Sequence, residues 1–513
     1  MIEMVIETEG LKKEIVSELL NLGVCDKCTL RYLGVKDPVV YRNTASIKTI
    51  LGGLSKKEDD DDVADVDIDN EEGTGLPPAK LLKCNPCAAC LGLLQSCVEE
   101  SFLDHIADDI KKAGIESSSY APVLTLPISL QIRAQSIWFH LIDKFPQVYK
   151  SLQYMKPEGI SMKTVWKWIS TMDLKQKVDS KSEWMTNGDL VINMFLQYKD
   201  EDPECLPMFK LLRQRNKRAE LTRGAVEQMF HSMNIETFHT HFKCPPPIPT
   251  NQLVLDKLAC SHMALFIAGR YCKYSRDVSQ SPWLDLEGKR VRGEGSVQEY
   301  ITEHVTPIFN CDTLRFSASG REDSDVRMLG KGRPFVVELI NPKKTIFTPN
   351  RIKLLQKTIN ESTSLISVRD LQIVDKKAVT YLRDGELTKN KLYTALCKSD
   401  GREITAEMLQ TLNETKTPIV LQQITPLRVL HRRSLITRPR SILELRAEPA
   451  SNQSKDMFIL HVKTEAGTYV KEFVHGDFGR TDPSISDLLG FPTEIMALDV
   501  TEVELDWPPE IKD

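Results

Sequence analysis

The chain has 513 residues, of which 41% are hydrophobic and 27% charged, enough for about two to four globular units at roughly 150 residues each. Its longest apolar stretches fall short of the ~18 residues a membrane helix needs, and Met1-Ile2-Glu3 opens no basic-then-apolar signal pattern, so a soluble, unsecreted protein with no membrane partner is expected. The net charge of −5 argues against a nucleic-acid binder only until its distribution is read.

Taken in chain order, Leu11, Ile15, Leu19 and Leu20 fall at helical spacing between Glu9 and Leu22, and Gly23 offers a C-terminal cap. Cys25-Asp26-Lys27-Cys28 follows directly. Glu58 to Glu72 then holds ten acids and no Lys or Arg, and without those ten the net charge becomes +5. Such a block repels itself and has too little apolar surface to fold, so residues 55–78 are predicted to form a disordered acidic insertion. After it come Cys84, Cys87 and Cys90. Two Cys-x-x-Cys turns present four thiolates to one ion, the tetrahedral set zinc prefers. Twelve cysteines behind an N-terminus of this kind fit a reducing compartment, where such pairs bind metal rather than form disulfides. The expected ligands are Cys25, Cys28, Cys87 and Cys90. Cys84/Cys87 is an equally good second pair; Cys87/Cys90 is favoured because Leu91-Gly92 follows it, resembling Leu33-Gly34 after Cys28. Four cysteines leave the ion no open position, so the zinc is structural and not catalytic.

A mixed helix and strand region runs to about His241. Within it, Lys210 to Arg223 carries Lys210, Arg213, Arg215, Lys217, Arg218 and Arg223 against one acid, Glu220. The proline cluster Cys244 to Pro249 interrupts regular structure and makes a linker, giving an N-terminal region over 1–244, a linker over 245–260 and a C-terminal domain over 261–513. Beyond the linker, Pro334 to Ile340 and Met457 to Lys463 read as strands and Arg351 to Ile359 as a helix. The fold class is therefore α+β. Thr415 to Leu443 has no acid and includes Arg428, His431, Arg432, Arg433, Arg438 and Arg440. Runs of arginine without carboxylates suit phosphate, because each contact releases counterions and the guanidinium forks two oxygens. Arg428, Arg432 and Arg433, with Arg213, Arg215, Lys217 and Arg218 in the earlier run, are the candidate phosphate contacts, which the resemblance described below makes contacts to RNA.

One stretch stands apart. Ser319 to Phe335 reads as a loop with three acids among arginines and glycines, between strand-like Thr313 to Phe316 and Phe335 to Ile340. A carboxylate beside an arginine in a rigid loop stays ionised at neutral pH, which suits a nucleophile or base.

That loop closely resembles the signature of the archaeal and eukaryotic tRNA pseudouridine synthase family usually numbered ten. Gly269 to Arg276 with Gln280 to Trp283, Lys391 to Ala395, Arg428 to Arg433 and Gly467 to Phe473 are similar to further motifs of that family and occur in its order. The resemblance spans about Leu265 to Leu505. It implies a C-terminal mixed-sheet pseudouridine synthase domain, and an N-terminal region with zinc knuckles and a THUMP-type RNA-binding module. It makes Asp323, last in Gly320-Arg321-Glu322-Asp323, the essential aspartate, with Asp325 its local rival. Arg321 is then expected to contact Asp323 and the RNA, Tyr393 to stack on the target base, and Lys471 to pair with the aspartate. Cys272 stands where the family pattern suggests asparagine.

The implied reaction is isomerisation of uridine to pseudouridine in the T-arm of tRNA, at position 54, 55 or both, by a nucleotide taken out of its stack. It needs no organic cofactor. Asp323 either attacks C1′ or removes the 2′ proton. A monomer of the cytoplasm, the nucleus or both is expected. Two rivals remain: an inactive zinc-containing RNA-binding protein, against which the intact Gly-Arg-Glu-Asp sequence weighs, and another THUMP-bearing tRNA modification enzyme. The latter is disfavoured by the lack of a glycine-rich nucleotide-binding turn between strand and helix.

Overall fold

Helix α1 (Glu9–Asn21) buries Ile15, Val16 and Leu19 along one face and ends before Gly23, whose φ of 76° is the left-handed turn a glycine cap supplies. The computed structural model describes residues 9–52, 85–149, 159–285, 287–451 and 453–512. The acidic insertion and Cys84 lie outside the described residues. No described helix is long and apolar enough to cross a membrane.

The described chain separates into two units, Met1–Ser261 and His262–Asp513, each with its own core. In the first, α1 is followed by α2 (Asp26–Tyr32) and by helices packed around Trp138 and Trp166, both fully buried. Four strands form its sheet in the order β2-β1-β3-β4: β1 (Ser119–Thr125), β2 (Glu183–Trp184), β3 (Leu190–Gln197) and β4 (Val254–His262). Along β3, Leu190, Ile192, Met194 and Leu196 alternate inward, the period-two pattern of a strand with one covered face. Helix α3 (Glu201–Arg215) follows β3. Residues 254–260, within the span read from sequence as linker, belong to β4, because Leu255, Leu258 and Cys260 pack against the first core.

The second unit is built on a mixed sheet, ten-stranded among the described residues. Its strands are β5 (Leu265–Lys273), β8 (Thr313–Ala318), β9 (Val326–Ile340), β10 (Ile366–Val374), β11 (Lys391–Ser399), β12 (Ile419–Ile424), β13 (Thr437–Pro449), β14 (Met457–Thr464), β15 (Thr481–Asp482) and β16 (Thr493–Val503). A separate hairpin pairs β6 (Trp283–Leu284) with β7 (Arg290–Arg292). The order is β10-β5-β9-β16-β11-β14-β13-β12-β15, with β8 on β9. All these neighbours are antiparallel except β9 and β16, which run parallel with Leu498, Asp499 and Val500 opposite Val326, Arg327 and Met328. That seam joins the two halves of the sheet. Arg327 and Arg276 both bind Asp499 there, Arg276 at 2.6 Å.

The loop read from sequence as Ser319 to Phe335 is shorter: β9 begins at Val326, and only residues 319–325 connect it to β8. The glycines that suggested a loop sit inside the strand. Gly330 (φ 61°) and Gly332 (φ 78°) have no room for a β-carbon, which would lie 2.0 Å from the Thr501 carbonyl oxygen and 2.7 Å from that of Tyr271. They mark a strand irregularity where neighbouring backbones approach closely.

Candidate functional site

Residues 319–325 leave the edge of β8, turn, and enter β9 at the parallel seam. Four of their carbonyls accept side-chain hydrogen bonds. Arg333 Nη1 donates to Ser319 O at 2.8 Å, Gln280 Nε2 to Gly320 O at 2.9 Å, Lys273 Nζ to Ser324 O at 2.7 Å, and Arg276 Nη1 to Asp325 O at 2.9 Å. Behind them lies a closed polar network: Arg333 Nε donates to Glu322 Oε2 at 2.8 Å, the Tyr271 hydroxyl to the same carboxylate at 2.9 Å, and Gln280 Nε2 to the Tyr271 oxygen at 2.7 Å. Glu322, Arg333 and Tyr271 are all buried. Burial works against the Arg333 charge, but Glu322 holds its guanidinium above the ordinary value. Burial pulls the Lys273 ammonium down to about 8. Tyr271, Lys273, Arg276 and Gln280 thus act as the bed of the 319–325 loop, a role that spacing alone did not reveal.

Removing one partner from such a pair strands the other charge. Arg333→Met is expected to cost about 3–5 kcal/mol of stability by leaving Glu322 buried and unpaired, read as a shift in the denaturant midpoint of the second unit.

With Glu322 turned inward, its neighbour Asp323 lines a cleft of about 720 Å³. Arg428 Nη1 meets Asp323 Oδ2 at 2.8 Å, and its Nε meets the buried Glu472 at 2.6 Å. Burial opposes the Arg428 charge, yet Glu472 and then Asp323 hold it above its ordinary value. Lys471, on the short helix α4 (Val470–His475), lies 3.4 Å from Asp323 and 2.7 Å from Asp325. Desolvation raises the Asp325 carboxyl, but the Lys471 hydrogen bonds outweigh it and hold that group below the usual range. Asp325 has a side chain 60% exposed and is not among the cleft residues, whereas Asp323 is 33% exposed and faces it.

Tyr393 rises from β11 into the same cleft, its hydroxyl pushed up to about 12 by burial. Val500 of β16 and Val326 of β9 supply apolar wall beside it. Arg432, Arg433, Arg438 and Arg440 line the rim. Arg321 also reaches the cleft, but among the described residues it forms no ion pair with Asp323; the expected contact is made by Arg428 instead. Cys272 is buried, with Sγ 3.5 Å from the Gly330 carbonyl. In the first unit, Arg213, Arg215, Lys217 and Arg218 are exposed at and beyond the end of α3, where Arg213 also lies over the Phe209 ring at 5.0 Å.

The four cysteines converge. Cys25 Sγ, Cys28 Sγ, Cys87 Sγ and Cys90 Sγ lie within 4.8 Å of one another, with Cys25 and Cys90 at 4.0 Å. Four sulfurs around one zinc stand about 3.8 Å apart at the ordinary Zn–S distance of about 2.3 Å, so the group fits such an ion. Backbone N–H groups of Cys25 and Cys90 donate to Cys87 Sγ at 3.2 and 3.4 Å, and that of Leu94 to Cys90 Sγ at 3.5 Å. Arg31 donates to Cys28 Sγ at 3.4 Å. Donors aimed at sulfur favour thiolate, the form a metal binds.

Comparison with known proteins identifies the family. Residues 266–504 match the family description "Pus10, C-terminal" and residues 87–260 match "Eukaryotic Pus10, N-terminal". The chain is 35% identical to the tRNA pseudouridine synthase Pus10 of Homo sapiens and 34% identical to that of Mus musculus, in each case over 98% of both chains. The Thermofilum pendens protein of the same name is 36% identical over 47% of this chain and 52% of its own. Among solved structures the chain is similar to the Cbf5-Nop10-Gar1 complex, at 16% identity and a TM-score of 0.25, covering 46% of this chain and 58% of that one.

Proposed function

Because this chain belongs to the Pus10 family, and is thereby an isomerase of the pseudouridine synthase kind, we propose that it converts uridine to pseudouridine in the T-arm of tRNA, with Asp323 as its essential residue. The observation that carries the reading is the setting of Asp323: a carboxylate at the floor of an arginine-rimmed cleft, fixed by Arg428 and faced by Lys471. In the reaction the N1–C1′ bond of uridine breaks, the uracil turns, and C5 bonds to C1′. The hydrogen on C5 leaves as a proton and N1 gains one. Asp323 serves by attacking C1′ or by taking the 2′ proton, and no organic cofactor takes part. Tyr393 stacks on the extruded base, and the apolar wall of Val326 and Val500 leaves the ring free to rotate.

The N-terminal region, 1–244, serves as a zinc-knuckle and THUMP-type RNA-binding part, and residues 261–513 as the catalytic domain. Supporting this are the four-cysteine cluster, whose guest we take to be zinc in a structural role, and the exposed cations from Arg213 to Arg218. The test is incubation of the purified protein with an unmodified tRNA transcript and mapping of pseudouridine. Product at position 54, 55 or both supports the reading, and product at neither overturns it.

The rim arginines give a separate expectation. Neutralising Arg432 and Arg433 together lowers affinity for every tRNA, and the slope of log affinity against log salt becomes shallower by roughly one unit per lost phosphate contact. Filter binding across a salt series measures both.

A further inference from the structure

Phe478 is 94% exposed, and its backbone holds φ at 56°. A bulky residue in the left-handed region is strained, and an exposed ring recovers nothing by burial. The folded chain therefore gains no stability from this side chain. Its turn is nonetheless firmly held. Asp477, also left-handed at φ 48°, takes the Leu427 N–H on Oδ2 at 3.1 Å and donates its own N–H to His475 Nδ1 at 3.0 Å. Arg480 Nη2 donates to Thr425 O at 2.6 Å, and Ile424 N–H to Arg480 O at 2.8 Å. The backbone that carries the ring is thus fixed beside the 425–436 segment.

That segment carries Arg432 and Arg433, both exposed, and leaves Leu435 68% and Ile436 49% exposed. Its other end is tied to the chemistry, since Arg428 follows Leu427 and reaches Asp323. Phe478 itself is not among the residues of the cleft. An exposed aromatic face on a fixed turn outside the cleft, with cations and no carboxylate across the neighbouring Thr415 to Leu443 stretch, matches a nucleotide: a base on the ring, its phosphates on the arginines.

We propose that Phe478 is the stacking platform for an unpaired base of the substrate RNA next to the uridine that enters the cleft, and so holds the strand open while that uridine is out. This rests on the RNA-modifying function proposed above. It names a site distinct from Tyr393, which faces the target base itself.

The test uses the full-length protein and an unmodified tRNA transcript. Phe478→Gly removes the ring and suits the φ of 56°, so its unfolding midpoint stays level or rises. Its tRNA affinity falls about five- to a hundredfold, the range for losing one base–aromatic stack. The salt slope stays that of the wild type, because no phosphate contact is lost. Phe478→Trp keeps wild-type affinity. Unchanged affinity in Phe478→Gly overturns the proposal, as do a shallower salt slope or a loss that tryptophan fails to prevent. The two readings fail separately. Wild-type protein that binds tRNA without forming pseudouridine removes the catalytic reading and leaves the stacking effect measurable, whereas active wild type with an indifferent Phe478→Gly removes only the platform.

Discussion

Asp323→Asn is expected to lower the isomerisation rate by about a thousandfold or more while tRNA affinity stays within a fewfold of wild type. The substitution preserves shape and removes only the charge that attacks C1′ or accepts the 2′ proton. Arg428 keeps its hydrogen bonds to Glu472, so the cleft does not collapse around the neutral amide. The rim arginines proposed to bind phosphate are untouched. Asp325→Asn is the contrasting case. Its carboxylate is more exposed and paired chiefly with Lys471, which still lies 3.4 Å from Asp323, so most of the activity remains. Single-turnover pseudouridine formation with saturating enzyme separates the two. The reverse ranking would transfer the essential role to Asp325.

A second large effect is expected at the cysteine cluster. Elemental analysis should find one zinc per chain, and Cys25→Ser or Cys90→Ser should lose it together with the fold of the first unit. Apparent binding free energies of structural zinc run to about 10–16 kcal/mol in small domains, which equals or exceeds the whole stability of a typical domain, about 5–15 kcal/mol. Cys28, Cys87 and Cys90 are buried in one core with Ile15, Leu19 and Trp138, so losing the ion leaves crowded thiols inside that core. Cys84→Ser keeps the metal, since the other four sulfurs already complete a tetrahedral group. A metal-free wild type of equal stability would refute the site.

What could be read from the sequence was short-range or chemically distinctive. The two Cys-x-x-Cys turns announce themselves because each half-site is local, and the helix before Gly23 because its apolar period is. Asp323 stood out through its immediate neighbours. The partner that fixes it did not: Arg428 lies 105 residues further along, and among so many arginines its sequence context reads only as phosphate binding. Arg321, two residues before it in sequence, was the natural candidate; it lines the same cleft but forms no ion pair with Asp323 among the described residues. The glycines at 330 and 332 misled for a related reason. A turn and a strand kink both demand left-handed backbone, and only the approach of Thr501 and Tyr271 tells them apart. The bed of the loop was hidden too, because Lys273 and Gln280 acquire their role only through carbonyls more than 35 residues away.

The parallel seam between β9 and β16 also orders events during synthesis. Arg327 and its partner Asp499 are 172 residues apart, which at about 5–20 residues per second separates their emergence from the ribosome by roughly ten to thirty seconds. Over that interval Asp323 already exists, but the wall formed by Leu498 and Val500 does not. Contacts of such long range close late. A nascent or prematurely ended chain therefore carries Asp323 without the wall that encloses it, and the cleft is completed only when β16 joins the sheet.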